Sequence, residues 1–100
     1  MKWVWTWGGE CFGYFDGDDL WTYDGKHVGR RSGDEIYAPD GSYLGEVMND
    51  DRLITNRCKS GWRDPAFGPW GRRGGYARYA NYAGYAMYAG HEDFPSPDEF

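Results

Sequence analysis

One hundred residues with a net charge of −5 and an aromatic content of 20% allow one compact domain, or a smaller domain with a tail. No apolar run is long enough to cross a bilayer as a helix. The opening MKWVWTWGGE has too short an apolar stretch for a secretory signal, so the chain is read as cytoplasmic, with room for peripheral membrane association.

Six Trp and nine Tyr, with Ala, Leu and Ile sparse before the last third, argue against a helical bundle. They favour short strands between Gly-rich turns, around a core of aromatic rings. The charge is unevenly spread. Residues 1–51 carry eleven acidic and four basic side chains, −7; residues 52–78 carry seven basic and one acidic, +6; residues 79–100 carry four acidic, −4. A basic middle between acidic flanks is either paired internally or open to an anionic partner.

In chain order, three segments share a pattern: VWTWGGECFGYFDGDD (4–19), LWTYDGKHVGRRSGDE (20–35) and IYAPDGSYLGEVMNDDR (36–52). A weaker fourth copy, LITNRCKSGW, spans 53–62. Asp24-Gly25 between two β-type runs predicts a two-residue hairpin turn, because Gly accepts the positive φ such a turn needs. With that centre, Trp21 faces Val28 and Leu20 faces Gly29. The same register pairs Trp5 with Phe12 and Tyr37 with Leu44, and sets Val4 against Gly13 and Ile36 against Gly45. Trp5, Phe12, Trp21, Val28, Tyr37 and Leu44 are therefore the expected core, in one common environment. A Gly recurring inside a strand, as at Gly13, Gly29 and Gly45, marks close approach of another part of the chain. A lone hairpin is unstable, so the copies are expected to pack as a ring of four over residues 3–62.

These units resemble the four-fold β-flower proteins, small bacterial proteins whose four hairpins form a shallow, pseudo-symmetric barrel. The resemblance covers residues 3–63. It implies an all-β fold, a shallow pseudo-four-fold barrel of β-hairpin repeats with a low-complexity C-terminal tail. It implies no activity, since none is established for that family. The likeness of such a barrel to the tubby-like fold, which includes phosphoinositide binders, is one of fold alone. In the fourth unit Arg57-Cys58 stands at the turn and Gly61 comes one position early, which leaves the register of that hairpin open.

The expected organisation is a repeat domain at 1–63, a Gly/Pro/Arg-rich connector at 64–75, and a Tyr-Ala repeat with an acidic end at 76–100. Tyr76, Tyr79, Tyr82, Tyr85 and Tyr88 sit three apart. That spacing wraps around an α-helix but aligns on a threefold conformer. The segment is read as an irregular helix or as disorder, and the hairpins are expected to close without residues 64–100.

No catalytic residue, metal site or cofactor motif is assigned. Cys11 and Cys58 are expected to be free, small buried hydrophobes. His27 is expected to be solvated or stacked. Cys11 and His27 occupy equivalent places in adjacent units, the one weak basis for an enzyme or toxin reading. Asp16, Asp18, Asp19, Asp34, Glu35, Asp50 and Asp51 should form an acidic rim that serves turns and solubility, not tight calcium binding. The candidate binding residues are Arg63, Trp70, Arg72, Arg73, Tyr76 and Arg78. Arg interleaved with aromatics suits an anionic lipid surface, the leading partner, or nucleic acid, the alternative. The competing arrangement docks the rings on the barrel and pairs the Arg side chains with its acidic rim. The function expected is that of a non-enzymatic binding or interaction module.

Overall fold

A computed structural model describes residues 1–100. It is all-β apart from two single 3-10 turns, with strands β1 (Lys2–Thr6), β2 (Cys11–Asp16), β3 (Asp19–Thr22), β4 (His27–Ser32), β5 (Glu35–Tyr37), β6 (Tyr43–Met48), β7 (Arg52–Asn56) and β8 (His91–Asp93). Neighbours in sequence pair antiparallel from β1 to β7, and β1 then meets β7 in parallel through Trp5↔Arg52 and Thr6↔Leu53. The result is a closed, mixed, seven-stranded barrel. Closure removes the free edges that would otherwise invite pairing with another chain. β8 adds to β7 beside the seam.

Three hairpins stand where the sequence places them, but their turns differ from the expectation. Thr22 N–H donates to Lys26 O, and Gly25 N–H to Thr22 O. The loop is therefore three residues, with its last, Gly25, at φ 93°. This shifts the pairing by one, so Trp21 opposes His27 and not Val28. A bulge follows at once and restores Leu20↔Gly29. The first and third hairpins repeat this, with Trp5↔Cys11 then Val4↔Gly13, and Tyr37↔Tyr43 then Ile36↔Gly45.

The bulge decides which residues form the interior. Phe12 and Val28, the unpaired bulge residues, join Val4, Leu20, Ile36, Leu53, Phe15 and Phe94 in one apolar cluster, with Leu44 partly buried against it. Trp5, Trp21 and Tyr37 are also buried, but outside that cluster. The expected common environment is thus two environments, an aliphatic–Phe interior and an outer aromatic layer. The expectation at the glycines is met. A Cβ would come within 2.0 Å of Trp21 O at Gly13, 3.0 Å of the Ile36 side chain at Gly29, and 2.5 Å of Ile54 O at Gly45.

The fourth hairpin does not form within 53–62. After β7 the chain enters a 3-10 turn at Arg57–Lys59, capped by the Asn56 side chain accepting Cys58 N–H. The strand that pairs with β7 arrives instead from residues 91–93, through Ile54↔Asp93, Thr55↔Glu92 and Asn56↔His91. Phe94, just beyond, enters the core.

Residues 64–88 form neither helix nor strand, yet they follow a defined path. This strap visits the hairpin turns in reverse order. Asp64, Arg73 and Tyr82 donate their N–H to Gly41, Gly25 and Gly9 O, at 3.0, 2.8 and 2.8 Å. Phe67, Tyr76 and Tyr85 donate to Pro39, Tyr23 and Trp7 O, at 2.9, 2.8 and 3.1 Å. The strap positions step by nine, and the hairpin positions by sixteen. RDPAFGPWG (63–71), RRGGYARYA (72–80) and NYAGYAMYA (81–89) are thus three successive straps over three turns. The turn glycines are needed twice over. Each has φ near +90°, and a Cβ would meet strap carbonyls at 2.0 Å (Gly9), 2.1 Å (Gly25) and 2.3 Å (Gly41).

Candidate functional site

The basic residues singled out in the sequence are dispersed along the strap, most of them with a carboxylate of the barrel. Arg72 meets Asp24 at 2.9 Å, Arg73 meets Asp16 at 2.9 Å and Arg78 meets Glu10 at 3.4 Å. Arg63 donates to Asp40 O at 2.8 Å. Arg73 also lies 3.8 Å over the Trp21 ring, and Arg78 lies 4.6 Å over Tyr23. The Asp24 carboxyl is held below the usual carboxylate range, first by the Thr22 hydroxyl and then by Arg72. Asp16 and the Tyr14 hydroxyl raise the Arg73 guanidinium further. Opposite charges that face each other across one small molecule pair within it, and solvent screens exposed pairs of this kind, so each contributes little.

The aromatic partners dock on the outer layer of the barrel while keeping one side in solvent. Tyr76 sits edge-on to Trp3 and Tyr14. Tyr82 stacks on Trp5 with centroids 3.9 Å apart. Tyr85 and Tyr88 flank Trp7, whose indole N–H donates to Ala86 O at 3.0 Å. Trp70 donates its backbone N–H to His27 Nδ1 at 2.9 Å, and its indole N–H to Asp19 at 3.2 Å. Even so, Trp70 is 62% exposed, and Tyr76, Tyr79, Tyr82, Tyr85 and Tyr88 are each about half exposed. The strap is therefore a continuous, half-wet aromatic row.

His27 is buried, not solvated, and lies stacked on Trp21. Because Nδ1 accepts the Trp70 N–H, the proton of the neutral ring sits on Nε2, which faces Gly29 O at 3.0 Å and Asp19 at 3.1 Å. Burial lowers its pKa, against the opposing pull of Asp19. Cys11 is buried and its thiol is pushed up, mainly by that burial. Its backbone N–H goes to Asn81. Each of the two residues is thus engaged by its own strap unit. Cys58 departs from the expectation and is exposed, on the 3-10 turn.

Sequence reasoning missed Arg52. It is buried with no carboxylate at hydrogen-bond distance; Asp51 is 4.0 Å away. Its guanidinium donates to Trp7 O and Ala83 O, at 3.2 and 2.9 Å, and lies 4.3 Å over the Tyr85 ring. It pins the strap to the seam. Nothing in an Asp-Asp-Arg run distinguishes this residue from a solvated one.

Beside Arg52 lies a cleft of 610 Å³, lined chiefly by Trp3, Trp5, Tyr79 and Tyr82, with Lys2, Asp50 and Asp51 at its rim. Its cause is topological. β7 begins at Arg52, opposite Trp5, so the start of β1, paired with β2 on its other side, has no strand beside it at the seam. The β6–β7 turn, with Asn49 at φ 52° and Asp50 at φ 70°, carries the two carboxylates to this gap. Lys2 Nζ meets Asp50 at 2.7 Å. Sequence reading had given Trp5 to the core and left Trp3, Tyr79 and Tyr82 unassigned to any site. No family model, curated protein or solved structure matches the chain.

Proposed function

We propose that this chain is a non-enzymatic binding module on the four-fold β-flower plan, a cytoplasmic protein that associates peripherally with an anionic lipid surface. On this plan β7 and β8 stand as the fourth hairpin, its short turn replaced by the whole strap. The observation that carries the reading is the half-exposed row from Trp70 to Tyr88. Exposed aromatic surface of this extent marks interaction sites. Trp and Tyr combine an apolar body with a polar tip, which suits the headgroup level of a bilayer. The net charge of −5 opposes an anionic surface, and the strap Arg side chains already have carboxylates. The rings therefore carry the larger share of the affinity, and lipid phosphates compete for Arg72, whose side chain is 62% exposed. A buried, protonated thiol at Cys11 and a His27 with both ring nitrogens engaged support the non-enzymatic part.

The test is flotation with phosphatidylcholine vesicles, with and without phosphatidylglycerol, beside a single-stranded oligonucleotide. Anionic vesicles are expected to retain the protein, with Trp70 fluorescence shifting to the blue, and Trp70→Ala is expected to reduce retention. Absence of vesicle binding overturns the lipid reading. Retention by the oligonucleotide alone transfers it to nucleic acid.

A further inference from the structure

The cleft at the seam shares Tyr79 and Tyr82 with the aromatic row and adds hydrogen-bonding groups that association with a membrane does not use. We propose that it is a binding site for a pyranose sugar. Such a ring has an apolar C–H face and a rim of hydroxyls, each both donor and acceptor. It is best held by aromatic surface on one side and mixed hydrogen-bonding groups at the edge. The cleft supplies both. Trp3 and Tyr79 give the aromatic wall, Asp50 and Asp51 are acceptors, and the Lys2 ammonium is a donor. Its 610 Å³ lies within the range of about 300–1,000 Å³ that small-molecule sites occupy.

A second observation comes from the backbone. Trp5 N–H donates to Asp51 O at 2.9 Å, and Trp7 N–H to Leu53 O at 2.8 Å. Strand alternation turns the N–H and C=O of Trp3 to the same side. There β7 has not yet begun, so no strand claims them. One main-chain donor and one acceptor thus flank the aromatic wall, next to the carboxylates.

The geometry disfavours other small ligands. A cage for a quaternary ammonium needs ring faces converging on one point. Here Trp5 and Tyr82 lie face to face with an interplanar angle of 16°, so their shared faces are closed, and Trp3 meets Tyr79 edge-on at 88°. Two carboxylates at the rim repel a free anion. The Lys2–Asp50 pair, with side chains 47% and 84% exposed, is held weakly and can open to hydroxyls.

Saturation-transfer NMR and calorimetry on the intact protein test this, with glucose, galactose, mannose, N-acetylglucosamine and their short oligomers as probes. At least one is expected to bind saturably, with transfer strongest to the C–H groups of one sugar face. Asp51→Asn should weaken binding at least about tenfold, the loss of a charge-assisted hydrogen bond. Asp50→Asn, in a residue type that tolerates positive φ, should weaken it too without disturbing the fold by circular dichroism. Trp70→Ala should leave it unchanged. Failure of every sugar to saturate overturns the proposal, as does binding unchanged in both Asp variants, or binding of tetramethylammonium where no sugar binds. Vesicle retention without sugar binding would leave the membrane reading standing and remove this one.

Discussion

The barrel and the strap are ordered by different means. In the barrel, strands pair with strands, and the sheet wraps an apolar interior that Phe94, just beyond β8, helps to fill. In the strap, no residue from 64 to 88 has regular secondary structure, yet its backbone N–H groups step along the carbonyls of three hairpin turns. A peptide segment without helix or sheet must still place its polar groups, and a strap can place them on a surface that repeats. Order in such a segment depends on its host, so breaking either region tests how far each relies on the other.

The largest effect is expected from removing residues 64–100. That deletion takes β8 from the edge of β7, Phe94 from the core, and the strap from above Trp5, Trp7 and Trp21. Losing the Phe94 ring alone should cost about 3–5 kcal/mol, against a total stability of about 5–15 kcal/mol for a domain. Fragment 1–63 is expected to aggregate or stay unfolded by circular dichroism and size-exclusion chromatography. A monomeric, β-rich fragment would show that the barrel is self-sufficient and the strap an accessory.

Two tryptophans sharpen the contrast. Trp21 is 1% exposed, beneath Arg73 and against His27, whereas Trp70 is 62% exposed on the strap. Trp21→Ala should cost about 3–5 kcal/mol. Trp70→Ala should fall within about 0.5 kcal/mol, as surface changes do. Equal losses in denaturant titrations would mean that the strap is as tightly packed as the barrel.

How much of this was legible in the sequence follows from how each feature is encoded. The hairpins were legible because Asp-Gly and the aliphatic–Gly pairs are local signals, and Val4↔Gly13, Leu20↔Gly29 and Ile36↔Gly45 stand as read. The faces of Trp21 and Val28 were not, because a three-residue loop and a bulge offset one another and leave no mark on the outer pairs. The strap's period of three was visible in its tyrosines. The nine-residue unit was not, since its meaning lies in contacts with turns distant in sequence, from Asp64 with Gly41 to Tyr82 with Gly9. The cleft was hidden for a similar reason. It exists because β7 starts late against β1, a matter of register between strands distant in sequence. Arg72, Arg73 and Arg78 were found as residues, while their barrel partners Asp24, Asp16 and Glu10 can be assigned only once the path of the strap is known.

Glycine substitutions separate turn strain from strap contact. Gly17, at φ 61°, has open space around its would-be Cβ, so Gly17→Ala carries only the left-handed penalty of about 1–2 kcal/mol. Gly25→Ala adds a collision with Arg73 O at 2.1 Å and should cost more. Hydrogen exchange should then show faster exchange at the N–H groups of Arg73 and Tyr76, which bond to this turn. Equal melting temperatures for the two variants would show that the strap does not press on the turn.

A smaller effect is expected from pH at the same junction. Burial lowers the His27 pKa below its ordinary value of 6.5, while Asp19 partly opposes and Arg30 assists. The unfolded chain therefore binds a proton there more readily than the folded one. Stability should be fully present above the ordinary value and fall as pH drops below it, until the lower folded pKa is passed. Protonation of Nδ1 also removes the acceptor for Trp70 N–H, so the strap near Trp70 should loosen first. His27→Gln should flatten this part of the stability profile. A slope unchanged in that variant would assign the pH dependence to other groups.

A small effect is also expected at the ion pairs that tie strap to barrel. Arg72 and Asp24 meet at 2.9 Å, but their side chains are 62% and 48% exposed, so solvent screens the attraction. Arg72→Ala should therefore cost no more than about 1 kcal/mol, and less at high salt. The reverse change, Asp24→Asn, should cost more than Arg72→Ala. Asp24 also accepts the Thr22 hydroxyl within the hairpin turn, the larger cause of its lowered pKa. That asymmetry sets the two regions apart at a single contact, since one partner has a second role in the barrel and the other does not. A double-mutant cycle resolves it. A coupling energy near zero, with Asp24→Asn still costly, would show that the turn depends on Asp24 while the strap is held by its backbone and its rings. A coupling as large as either single loss would instead make the salt bridge itself the tie.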